Sequence, residues 1–138
     1  MTATTTEIST KVRAGEDEQY FFNAGIAGLK GTIAVLNGGY VQQGVTGLNL
    51  IAVGIFVQTD SNVGGTAGAL STPVKRGKFL LQNSTSADLI AQANVGADCY
   101  IVDNQTVALT NGTSTRSRAG KICGVEAGMV WVQIGLGW

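Results

Sequence analysis

A chain of 138 residues is the size of one ordinary domain and is long enough to bury a core. With 20 glycines and only 13% charged residues, turns must be frequent and the surface must rest largely on Thr, Ser, Asn and Gln. Nine basic and nine acidic residues leave no net charge, which removes any global attraction to nucleic acid or to an anionic membrane. The absence of histidine removes the commonest general base and metal ligand.

Residues 1–18 are Thr-rich and then charged, with little to bury, and they read as an extended N-terminal arm. The arm has no apolar run of the kind a secretory signal carries, so the expected site of synthesis and assembly is a cytoplasm. Residues 19–138 read as a single β domain, entered through the aromatics Tyr20, Phe21 and Phe22. Thr32 to Leu36 and Tyr40 to Gln43 form a predicted hairpin, because Asn37, Gly38 and Gly39 supply the positive φ angles of a tight turn. The apolar run of "LNLIAVGIFVQ" predicts a long strand buried on both faces and bulged at Gly54; at eight residues, Leu50 to Val57 is too short to span a bilayer.

Ser61 to Thr72 reads as a flexible, Gly-rich surface loop, followed by Pro73 and a strand in "GKFLLQ". A short helix is arguable in "SADLIAQAN", with Ser86 as its cap. A second hairpin pairs Cys99 to Val102 with Thr106 to Leu109 across Asp103, Asn104 and Gln105. A third turns near Ala127 and Gly128, and in its last strand Val130, Val132 and Ile134 share one face. Eight to ten short strands with regular turn signals predict an all-β fold, a small β-sandwich or β-barrel with the β-tulip among its variants, carrying Gly-rich loops.

The glycines before Lys78 invite comparison with a phosphate-binding loop. That loop needs a first Gly where Thr72 stands, Ser or Thr where Phe79 stands, and a helix where a strand is expected. A dinucleotide fingerprint fails on the same missing helix. The five Asp and four Glu are scattered, so no catalytic residue, metal site or cofactor is expected. Cys99 and Cys123 lie in apolar strand-like segments and read as small buried hydrophobes, and a cytoplasmic origin argues against their forming a disulfide. The sequons at Asn83 and Asn111 read as turn chemistry. Basic clusters at Lys75, Arg76 and Lys78 and at Arg116, Arg118 and Lys121, with an acidic one at Glu16, Asp17 and Glu18, read as solvated rims or as docking charges.

Three stretches, "AVGIFVQTDSNVGGTAGALSTPVKRGKFLLQNS", "VGADCYIVDNQTVA" and "SRAGKICGVEAGMVWVQI", resemble the head decoration, or capsid cement, proteins of tailed bacteriophages over Leu48 to Ile134. The resemblance implies a non-enzymatic structural protein on the outer surface of the virion, made in the host cytoplasm. It would bind the major capsid protein and itself, as a homotrimer or a dimer, and hold capsid subunits together, with no nucleic acid, membrane or cofactor involved. The expected contact residues are Thr2, Thr4, Thr5, Thr6 and Lys11 of the arm and Lys75, Arg76, Arg116 and Arg118 of the basic rims. The alternative is a carbohydrate- or surface-binding module of a phage fibre or adhesin; against it, most aromatics lie in strand patterns, Trp138 being the main exception.

Overall fold

The computed structural model describes residues 2–11, 13 and 15–138. It is all-β. In chain order the strands are β1 (Asp17–Phe21), β2 (Ala27–Gly28), β3 (Ile33–Asn37), β4 (Tyr40–Gln43), β5 (Ile51–Phe56) and β6 (Asp60–Ser61), then β7 (Ser71–Lys75), β8 (Gly77–Asn83), β9 (Asp98–Ile101), β10 (Thr106–Ala108), β11 (Arg118–Glu126) and β12 (Met129–Ile134). They form a five-stranded sheet in the order β1-β7-β5-β3-β4, a closed barrel in the order β10-β8-β12-β11-β9, and the small ribbon β2-β6.

The three predicted hairpins form for the reasons the turn residues give. Asn37 pairs with Tyr40 across Gly38 and Gly39, at φ 60° and 89°, the left-handed geometry that matches strand twist. Glu126 pairs with Met129 across Ala127 and Gly128 in the same way. Between β9 and β10 the Asp103 carboxylate accepts from the backbone N–H groups of Gln105 and Thr106, closing that reversal from a side chain.

The five-stranded sheet rolls until its edges touch. Phe22, one residue beyond β1, bridges Val41 of β4, and the Asn23 N–H donates to the Val41 carbonyl at 3.0 Å. The interior holds Phe22, Ala34, Val41, Val53, Phe56 and Val74, with the Phe22 and Phe56 rings stacked at 6.0 Å. Burying each ring stabilises by about 1.5–3 kcal/mol. Ribbon β2-β6 lies against this interior, and Gly28 permits it, since a Cβ there would sit 2.6 Å from the Phe56 ring. The bulge predicted at Gly54 is present: Ala34 faces Gly54 while Val35 faces Ala52, so Val53 is the extra residue. Ala52 then joins one cluster and Val53 the other, which is how this strand comes to be buried on both faces.

The opposite face of the rolled sheet, through Ile33, Val35 and Ala52, packs with the barrel's buried side chains into a second cluster. There Val130, Val132 and Ile134 of β12 are fully buried on one face, as their alternation predicts. Where β11 runs beside β12 the chains approach so closely that a Cβ on Gly120 would lie 2.0 Å from the Gln133 carbonyl oxygen. Cys99 is fully buried in this cluster, whereas Cys123 is the extra residue of a bulge in β11 and only half-buried; both are free thiols. No helix among the described residues is long and apolar enough to cross a membrane.

Three local expectations are corrected. The arguable helix is a pair of 3-10 turns, Ser86–Asp88 and Gln92–Asn94. Ser86 has φ 58° and caps nothing; Asn83 instead organises the segment, accepting from the Ile90 N–H and donating to the Ile90 carbonyl. The loop from Ser61 to Thr72 is pinned at both ends and in its middle. Ser61 belongs to β6, Thr72 is fully buried in β7 with its hydroxyl on Asp60, and buried Asn62 donates to the carbonyls of Asn23 and Thr66. Pro73 sits inside β7 rather than ahead of a strand, tolerated because the ladder to β5 covers only Lys75 and Val74.

Candidate functional site

The expected contact residues separate into two groups. Thr2, Thr4, Thr5, Thr6 and Lys11 are all exposed, and the hydrogen bonds of this stretch are local ones between Thr4 and Thr6. The arm range 1–18 overlaps β1, since Asp17 and Glu18 already pair with Lys75 and Val74.

The basic residues do not form one rim. Lys75 is exposed, its ammonium 3.9 Å from Glu16. Arg76 lies over the Trp138 ring, 4.6 Å from its centroid. Arg118 donates to Asp98 at 2.8 Å and to the Trp138 carbonyl, and Lys121 reaches the same Asp98 oxygen. The Lys121 ammonium and the Arg118 guanidinium together hold the Asp98 carboxyl below the usual carboxylate range. Arg116 is turned inward with 18% of its side chain exposed, donating to Asp88 and to the Thr110 carbonyl. The Thr110 hydroxyl first, then Arg116, lowers the Asp88 pKa. Arg116 and Arg118 are therefore both paired within their own chain, and Arg118 keeps part of its side chain exposed. The acidic cluster is likewise dispersed, with Glu16 on Lys75 and Glu18 on Arg13.

Two openings mark opposite ends of the rolled sheet. The smaller, about 160 Å³, is lined by Gly15 to Glu18, Tyr20, Val74, Arg76 and Leu136. Burial, and then repulsion from Glu18, raises the Tyr20 pKa. The larger is a groove of about 420 Å³ between β2, β4 and the β9–β10 turn.

Amides line the groove. The Gln43 side chain donates to the Ala27 carbonyl at 2.8 Å and accepts from Asn104 at 2.7 Å. The Gln42 Oε1 accepts from both Asn23 and Asn37 at 3.2 Å. Asp103 is the one ionisable residue of the lining, and Ile26, Ala27 and Val45 add apolar surface. Such a site offers neutral hydrogen bonding and one apolar patch; it has no paired acid and base. Among the described residues no group of three or more Cys, Asp or Glu is arranged to hold a metal ion.

The turn at Asp103 was legible in the sequence, but the groove was not. Gln42, Gln43 and Asn104 come from segments about sixty residues apart, and an amide carries no spacing signature that marks it as part of a site. Compared with protein-family models, curated proteins and solved structures, the chain gives no match.

Proposed function

We propose that this chain is a capsid decoration protein, which fastens to the outer surface of a phage head as a homo-oligomer and holds major capsid subunits together. The observation that carries the reading is the arm. Among the described residues, 2–11 are exposed along their whole length and make no hydrogen bond to the body, which leaves their backbone and side chains open to contacts on another chain. The decoration-like run from Leu48 to Ile134, folded here as a small all-β body, agrees with that role. A rigid body with several weak attachments gains from repetition, since linked contacts can raise avidity by about 100-fold or more when geometry lets them engage together.

The body offers its own contact surface at the C-terminal turn. Ile51 and Trp138, 53% and 41% exposed, flank a shallow depression of about 150 Å³ rimmed by Arg118. An exposed Trp is the kind of side chain that anchors an interface.

Mixing the purified protein with heads that lack it tests the reading. Stoichiometric binding and heads that withstand higher temperature are the expected result. No binding to heads at any concentration, together with retention on a glycan column, would replace it with the surface-recognition module.

A further inference from the structure

We infer that the amide-lined groove is the seat for the arm of a second copy of this chain: Thr6 to Thr10 of one molecule lies along β4 of its neighbour, with Ile8 against Val45 and Ile26. The inference rests on the oligomeric part of the proposed function and assigns the arm a specific receptor.

The backbone of β4 supplies the first argument. Asn37 and Tyr40 close a two-residue turn and the Gly44 N–H donates to the Ile33 carbonyl, so the intervening alternation turns the backbone groups of Val41 and Gln43 away from β3. The Val41 carbonyl is taken by Asn23, but the chain then turns off, the Ala24 N–H bonding to the Asn23 side chain. Among the described residues no turn or loop backbone bond uses the Gln43 N–H or C=O, and Gln43 lines the groove, which is where an added strand would continue the ladder.

The walls supply the second. No hydrogen bond among the described residues uses Gln42 Nε2 or Asn104 Oδ1, leaving a donor and an acceptor for hydroxyl side chains. The arm matches this chemistry. Its residues 2–11 are rich in Thr, favour extended backbone, and carry Glu7 and Lys11, one charge of each sign. In an extended stretch Thr6, Ile8 and Thr10 share a face, and Ile8 is 71% exposed.

Position supplies the third. The arm leaves the body at Glu16, whose carbonyl still accepts from the Arg76 N–H, whereas the groove, lined by Gly25 to Ala27, lies past the other end of β1, about 17 Å away at five residues of strand. A molecule's own arm would have to double back along the whole of β1 to reach it. Donor and acceptor are different surfaces, so the contact is heterologous, and a closed ring fills every groove.

Light scattering on the full chain over a range of concentrations, beside a 2–11 deletion, Ile8→Asp, Val45→Arg and the double variant, tests this. Both substituted side chains are exposed, so circular dichroism should be unchanged in every variant. The full chain is expected to be oligomeric. The deletion and each single variant should raise the apparent dissociation constant by about tenfold or more, and the double variant, with opposite charges facing, should recover part of the loss. A full chain that is monomeric throughout, or a deletion that oligomerises as well as the full chain, overturns the inference. Retention on a glycan column that Val45→Arg abolishes would reassign the groove to saccharide. Head binding is read separately: heads that bind a fully oligomeric deletion variant leave decoration standing and remove the arm's seat, and variants that behave as expected on a protein that ignores heads do the reverse.

Discussion

The barrel and the rolled sheet each enclose a core, and they do it by different means. Every barrel strand has a ladder partner on both sides, and its cluster is built mainly from Ile and Val on strands whose alternation dictates which face they take. The rolled sheet closes through one bridge, fills its interior around two stacked Phe rings, and is covered by a two-stranded ribbon and a loop held by buried polar side chains. The barrel's order is distributed over many backbone bonds, while that of the rolled sheet depends on a few specific contacts. Variants in the two regions should therefore fail differently.

Gly120→Ala should be among the largest effects. The added methyl meets a backbone carbonyl, which cannot rotate away as a side chain could, so the barrel must open at β11 and β12. A loss of about 3 kcal/mol or more is expected in urea denaturation. A loss under about 1 kcal/mol would show that the barrel seam yields easily.

Phe56→Ala should cost about 3–5 kcal/mol and Ile122→Ala about 2–5. The informative result is the shape of the transition. If the clusters unfold as one unit, both variants show a single shifted transition; if the rolled sheet is the weaker part, Phe56→Ala alone splits the transition when followed by two probes. Asn62→Ala should cost less, about 1–3 kcal/mol, through the carbonyls of Asn23 and Thr66 that it leaves unpaired. Faster hydrogen exchange confined to residues 22–31 and 57–72 would locate that loss in the cover of the rolled sheet.

The smallest effect concerns the barrel thiol. Burial pushes the Cys99 pKa from 9.0 up to about 12. The unfolded chain then releases this proton at a lower pH than the folded one. The thiol's contribution to stability is complete below about pH 9 and is lost as pH rises toward 12. Replacing Cys99 with Ala should flatten the alkaline limb of stability against pH. In the native protein at neutral pH, iodoacetamide should label half-buried Cys123 well before Cys99. Equal labelling rates would mean that the barrel opens as readily as its bulge.

Sequence by itself settled the local devices: the hairpins at Gly38 and Gly39, at Asp103 and at Ala127 and Gly128, the bulge at Gly54, and the inward face of β12. Each is fixed by the φ angles or the period of a few adjacent residues, so neighbours in the chain carry the whole signal. Only tertiary structure decided where long-range bonds fall. Arg116 and Arg118 look like free charges until the fold brings Asp88, Asp98 and Trp138 to them. Ser61 to Thr72 looks mobile until Asn23 and Asp60 arrive to hold it. Gln42, Gln43 and Asn104 become one wall only after β4 meets the turn that follows β9. A polar side chain far from its partner has no periodicity that names the partner, because hydrogen bonds and ion pairs are made through space, and the sheet order that creates that space is a property of the whole chain.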